Sequence, residues 1–243
     1  MADFVELWTY LSATPLFGLT ATLLVYVVFT AIYQESGQSP WLNPVLWSIV
    51  ALGAALLWLD LPYQRYFSGA QFIHFLLGPA VVSLAWPLWQ RRAELRRYFW
   101  RLIAAGFLGG AVSALSAYGL ARLLGLPESI AWSLIPKSVT APVAMGLAQT
   151  IGGIPELAAV FAVLSGLIGA LLGRMVFTWI RVSQQTEGWT RRGFALGTVS
   201  HGIGAARAIQ VNPQAGAYAG LALALQVVLA SLWIPLLSVW LRA

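Results

Sequence analysis

Long apolar runs, rather than alternating faces, dominate the hydrophobic pattern of this chain. Uncharged windows at residues 16–33, 41–59, 102–121 and 214–241 each approach or exceed the roughly 18 residues that mark a membrane-spanning helix. Two further spans are interrupted: residues 72–89 carry His74 and the pair Gly78-Pro79, and residues 157–180 carry Arg174. Two other segments break the pattern outright. Residues 136–153 hold Lys137, the one lysine of the chain, bracketed by Pro136 and Pro142, with Ser138 and Thr140 between them and Gly152-Gly153 closing the segment. Residues 193–209 hold Ser200-His201-Gly202-Ile203-Gly204 and then Arg207. Proline denies the backbone a donor and interrupts a helix. In hydrocarbon, irregular backbone survives only where it is buried in protein or lines a water-filled cavity. The pattern therefore predicts an all-α integral membrane protein of about six full transmembrane helices plus two re-entrant or broken helical segments. A single polytopic domain takes up residues 1–243, with scaffold-like spans in 1–132 and the motif-bearing part in 133–243.

Composition agrees. The 243 residues are 59% hydrophobic and 9% charged, with a mean hydropathy of +0.77, whereas soluble domains carry about 25% charged residues. The net charge of +6 would suggest nucleic acid in a soluble chain. Here the cations cluster at Arg91, Arg92, Arg96, Arg97 and Arg101 and again at Arg181, Arg191 and Arg192. Cytoplasmic loops are enriched in arginine and lysine, so these clusters report topology and no nucleic-acid partner is expected. If both lie inside, residues 136–153 must enter from outside and return, and residues 193–209 must enter from inside and return. Opposed hairpins of this kind are an inverted-repeat arrangement around a midplane site. A short echo between residues 78–85 and 141–148, and the paired Asn43-Pro44 and Asn212-Pro213, point the same way. The Gly106/Gly110, Gly169/Gly173 and Gly216/Gly220 pairs allow close helix approach and read as packing within one chain. With no cysteine, disulfides and thiolate chemistry are excluded, and the acidic start MADFVELW predicts no cleaved signal peptide.

A cation at membrane depth costs about 2.5–3.5 kcal/mol on insertion scales and marks a functional site by default. Lys137, with Ser138 and Thr140 beside it, reads as an anion contact ahead of a lysine snorkelling to the interface. His201 reads equally as a carboxylate or proton ligand and as a packed, hydrogen-bonded histidine. Arg207 reads as a carboxylate clamp or as a rim arginine. Glu156, in the first turn of a helix, reads as structural, favoured there by the helix dipole, ahead of a role in proton coupling. No enzyme is expected: Gly197-x4-Gly202 lacks the lysine and hydroxyl of a phosphate loop, and Ser200 adjoins His201 in sequence, so the two would point apart on a helix. Neither a metal site nor a cofactor is expected.

Several blocks together carry a family resemblance. They are Asn43-Pro44, Leu77-Gly78-Pro79-Ala80, Ser133-Leu-Ile-Pro-Lys-Ser-Val-Thr140 with Pro142, Ile151-Gly-Gly-Ile-Pro155, and Gly197-Thr-Val-Ser-His-Gly-Ile-Gly204 with Ala206-Arg-Ala208. On these the chain resembles the LrgB/CidB family of bacterial membrane proteins, whose plant relatives include the chloroplast glycolate/glycerate translocator. The resemblance implies a multi-pass protein of the bacterial cytoplasmic membrane. It implies an elevator-type carrier of small monocarboxylates of the glycolate, glycerate, lactate or pyruvate type, proton- or ion-coupled. A small LrgA/CidA-type membrane partner goes with it, and a homodimer is expected because many carriers need a fixed scaffold against which a substrate domain moves. The alternative implied by the same family is a holin- or antiholin-like modulator of murein hydrolase activity and cell lysis. Lys137, Ser138, Thr140, Ser200, His201 and Arg207 are the expected substrate contacts. Asn43, Gly78, Pro79, Pro136, Pro142, Gly152, Gly153, Gly202 and Gly204 are the expected backbone-break positions. A lesion-forming holin needs only helices that assemble, so the polar residues in broken segments favour the carrier.

Overall fold

A computed structural model describes residues 16–76 and 85–242 together with Pro79 and Val82. Gly78, and most of the 78–85 echo, lie outside the described residues. The chain forms two compact units, Met1–Ala80 and Val81–Ala243, and no strand occurs among the described residues.

In the first unit, α1 (Leu16–Glu35) is followed by a 3-10 turn (Pro40–Leu42), α2 (Pro44–Trp58) and α3 (Tyr63–Phe75). Asn43 caps α2: its Oδ1 accepts from the backbone N–H of Val45 at 3.0 Å and of Leu46 at 3.3 Å, with Pro44 at the first helical position, where its missing N–H is harmless. The same grammar recurs in the second unit, where Asn212 Oδ1 accepts from the N–H of Gln214 and Ala215. The two Asn-Pro pairs are thus helix starts, which explains that echo locally. α2 has 15 residues, about 22 Å, because the Asn43 cap begins it late and the positive φ of Asp60 ends it early. The window at 41–59 therefore yields a helix shorter than a full span. Helix α1 crosses α3 closely at Gly18, where the backbone of Tyr66 and Ala70 leaves no room for a Cβ, and Thr22 Oγ1 and the Tyr66 hydroxyl share a hydrogen bond of 2.7 Å.

The second unit contains α4 (Ala85–Gln90), α5 (Arg92–Arg97), α6 (Phe99–Leu123), α7 (Glu128–Leu134), a 3-10 turn (Ile135–Ser138), α8 (Ala141–Ile151), α9 (Pro155–Trp179), α10 (Thr186–Val211) and α11 (Pro213–Arg242). Among the described residues four helices are long and apolar enough to cross a membrane: Leu16–Glu35, Phe99–Leu123, Pro155–Trp179 and Pro213–Trp240. On three of them Val112, Leu120, Ile168 and Leu236 are well exposed, the outward apolar face that a multi-pass membrane protein presents to lipid. The interior is built from small residues, with Ala114, Ala144, Ala148, Ala158, Ala162 and Ala230 all at 0–1% exposure. Membrane helices pack this way because close backbone approach, rather than hydrophobic burial, drives their association.

Two of these elements reverse direction. After the 3-10 turn, Val139 (φ −102°, ψ 174°) and Thr140 (φ −62°, ψ 148°) are extended, and Pro142 lies in the first turn of α8. Gly152, with φ 76°, caps α8 in the left-handed conformation. The chain then returns to its start: the Ile154 N–H donates to Ser133 Oγ at 2.7 Å across 21 residues. A straight helix would hold those residues about 31 Å apart. Residues 128–151 are a hairpin. In α10 a single residue leaves the helical region, His201 at φ 40°, ψ −134°. A Cβ on Gly204 would lie 2.9 Å from the Leu196 carbonyl oxygen, whereas a straight helix separates those positions by about 12 Å. Residues 186–200 and 202–211 are therefore the two arms of a second hairpin.

The hairpins enter from opposite ends. The first begins where α6 stops and ends where α9 starts. The second begins where α9 stops and ends where α11 starts, and α9, with 25 residues, separates those ends by about 37 Å. Both arginine clusters fall at the end shared by the start of α6 and the foot of the second hairpin.

Candidate functional site

The first tip is led by Lys137. Its turn, Ile135–Ser138, packs against α6, α9, α10 and α11. The ammonium donates to the Ser113 carbonyl at 2.9 Å and also to the Ser113 hydroxyl. Ser113 sits near the centre of α6, so Lys137 reaches inward to the middle of the bundle rather than outward to an interface. Ser138 is buried at 2% exposure. Thr140 begins α8 without capping it, and its buried Oγ1 has no hydrogen-bond partner among the described residues. The free N–H groups and positive dipole end of α8 thus open at this tip.

The second tip is fastened to α9. His201 Nε2–H donates to the Ala162 carbonyl at 2.6 Å, and Ser165 Oγ donates to the Val199 carbonyl at 3.1 Å. The His201 ring lies where a Cβ on Gly166 would stand 2.8 Å away, and Ser200 Oγ would collide with a Cβ on Gly169. Glycine on α9 is required by these close approaches. Ser200 and His201 are buried at 1% and 4% exposure, and Ser200 Oγ has no hydrogen-bond partner among the described residues. The reversal falls on His201. Gly202 is the first residue of the descending arm, and a Cβ there would meet nothing within 4 Å.

Arg207 stands lower, about 9 Å down that arm, where its Nη1 donates to Gln210 Oε1 at 3.3 Å. The structure thus brings Lys137, Ser138, Thr140, Ser200 and His201 to two tips that share α9, while Lys137 bonds α6 and His201 bonds α9. Arg207 is turned to a neighbour on its own arm. Pro79, in the first unit, is exposed.

The base of the second hairpin is pinned by Arg192. Its Nη2 donates to the Val182 carbonyl, and its guanidinium lies 5.6 Å from the Phe177 ring centre and 5.1 Å from that of Trp189. Only 5% exposed, it is a structural anchor as well as a topology charge. At the same end, the carboxylate of Glu94 pairs with Arg91, and the Arg91 guanidinium lies over the Tyr218 ring of α11. Burial alone would raise the Glu94 carboxyl; hydrogen bonds from Tyr218 and Arg91 and the Arg91 charge outweigh it and hold it below its usual value. A cavity of about 430 Å³ runs from Thr190, Arg191 and Tyr218 at this end to Gly109 and Thr198 near the middle of α6. A second, of about 730 Å³, is lined by Arg92, Arg96, Arg97 and Arg101 and lies away from the tips.

Sequence reasoning missed Ser113 and Gln226. Gln226 is 1% exposed and neither polar atom of its carboxamide is hydrogen-bonded among the described residues, a state that costs about 1–3 kcal/mol by mutational measures. The available signal was an amide near the middle of a 30-residue, mostly apolar helix.

Comparison with known proteins bears on the same residues. The model of the LrgB-like family matches residues 22–240. The chain belongs to the LrgB-like family. It is 31% identical over 220 residues to Uncharacterized protein YxaC of Bacillus subtilis, covering 90% of this chain and 93% of that one. It is 28% identical over 216 residues to Holin-like protein CidB of Staphylococcus epidermidis, covering 89% and 92%. It is 28% identical over 224 residues to Antiholin-like protein LrgB of Bacillus mycoides, covering 92% and 95%. No solved structure matches this LrgB-like chain. The names of the CidB and LrgB relatives fit the holin- or antiholin-like alternative better than the carrier.

Proposed function

We propose that this LrgB-like chain carries a small monocarboxylate of the glycolate, lactate or pyruvate type across the bacterial cytoplasmic membrane. The observation that carries the reading is the pair of opposed hairpins, one presenting a half-buried lysine turned into the bundle and the open N-terminus of α8. A monocarboxylate entering a low-dielectric site must exchange its hydration for donors and a compensating cation. Lys137 supplies the cation, Ser138, Thr140 and Ser200 supply hydroxyls, and the start of α8 supplies backbone N–H groups. His201 sets the second tip against α9, and Arg207 meets the anion on the way out along the descending arm. Broken helices that place their N-termini at a midplane anion are the usual construction of such carriers. An elevator-type movement, a homodimer and an LrgA/CidA-type partner belong to the same proposal.

The names of the relatives favour a second reading, a holin- or antiholin-like regulator of lysis. Proteoliposomes separate the two. The carrier takes up labelled glycolate, lactate or pyruvate saturably, loses uptake with Lys137→Met, and leaves an entrapped dye inside. A lesion-forming protein releases the dye and shows no saturation, and that result would remove the carrier reading.

A further inference from the structure

Gln226 has no part in the site so far, yet it is among the most fully buried polar side chains of the second unit. The residue stands near the centre of α11 at 1% exposure, with neither the oxygen nor the nitrogen of its carboxamide bonded among the described residues. The amide is pressed onto α6, where a Cβ on Gly110 would collide with Nε2 and lie 3.1 Å from Oε1. One turn further along that face is Ser113, which receives the Lys137 ammonium. On the same stretch the Thr198 side chain would lie 3.2 Å from a Cβ on Gly109. Both hairpins and α11 therefore bring a polar residue to positions 109–113 of α6, about 6 Å of helix. An apolar side chain of the same length would fill this position without leaving two polar atoms unpaired. A group that is both donor and acceptor, packed one helical turn from the serine that holds a lysine, can find both partners in a ligand.

We propose that Gln226 is a substrate ligand that reads a hydroxyl on the carbon next to the carboxylate. This inference rests on the carrier reading. Lys137 takes the charge of the carboxylate, and Gln226 Nε2–H donates to one of its oxygens. A bare carboxylate offers only acceptors, so it satisfies half of the carboxamide and leaves Oε1 unpaired. A 2-hydroxy acid brings an O–H as well and satisfies both halves. A site built to hydrogen-bond a hydroxyl rejects the analogue without one, because its own buried group is then left unpaired.

Lactate and propionate differ by that one hydroxyl and are the probes. Competition against labelled lactate in proteoliposomes, with the full chain, is expected to show that the wild type prefers lactate at least tenfold. Gln226→Met is expected to weaken lactate tenfold or more, leave propionate within threefold, and so abolish the preference. Thermal unfolding of the ligand-free protein in detergent supplies an independent readout: Gln226→Met is expected to raise the midpoint, since it removes unpaired polar atoms. A Gln226→Met protein that keeps the wild-type preference, or a wild type that takes both acids equally, would overturn the inference and leave the carrier standing. A wild type that takes up neither acid, nor glycolate nor pyruvate, would overturn the carrier reading itself and this inference with it.

Discussion

The two hairpins make the same reversal by different means. The first spreads its turn over a 3-10 helix and two extended residues, Val139 and Thr140, all in ordinary backbone regions. The second turns on one residue, His201, at φ 40°, ψ −134°, a conformation that costs a non-glycine residue about 1–3 kcal/mol. The first points its charge across the bundle to Ser113. The second holds its tip to α9 through Ala162, Ser165, Gly166 and Gly169. Strain of this kind persists only where surrounding contacts over-determine it. The difference assigns the labour: the first tip presents chemistry on a relaxed turn, and the second is a clasp whose geometry depends on its seat.

The comparison is sharpest at Lys137. Lys137→Met is expected to weaken carboxylate binding by about 2–5 kcal/mol, roughly 30-fold or more, with the fold intact by thermal unfolding and size-exclusion chromatography. Normal uptake by this variant would remove the first hairpin from the site. The seat of the second comes next. Gly169→Val is expected to cost about 1–3 kcal/mol or more through overpacking against Ser200, and to abolish uptake. Gly202→Val, where a Cβ meets open space, is expected to cost under about 1 kcal/mol. Equal losses from the two would show that the α9 seat does not hold the clasp. The smallest effect separates ring from backbone at position 201. His201→Ala and His201→Gly both lose the bond to Ala162, but glycine tolerates the positive φ. The alanine variant is therefore expected to be less stable by about 1 kcal/mol, the reverse of the order inside a helix.

Proline and glycine made both interruptions legible in the sequence, because their effects act within a few residues. The arginine clusters likewise located one end of the bundle. Which residue turns the second hairpin was not legible: positive φ ordinarily falls to glycine, and Gly202 and Gly204 stand beside His201, but contacts with α9, 35 to 39 residues earlier in the chain, placed the turn on the histidine. Ser113 and Gln226 were hidden for a related reason. Each is an ordinary polar residue in an apolar helix until its packing partner, far off in sequence, is known. The span at 41–59 was misjudged in length because hydropathy does not register the Asn43 cap or the turn at Asp60. Arg192 counted as a loop charge, and only the folded loop at Val182 shows that it is buried.

Cysteine protection tests most directly whether the two tips share one carboxylate site. The chain contains no cysteine, so Thr140→Cys, Gly202→Cys and, as a control, Leu124→Cys at an exposed position each give a single reactive thiol. Labelling rates with a small water-soluble maleimide would be compared in membranes with and without saturating glycolate. The expected result is slower labelling at both Thr140→Cys and Gly202→Cys with no change at Leu124→Cys. Protection at neither tip, or at one tip alone, would contradict a site shared by the two hairpins.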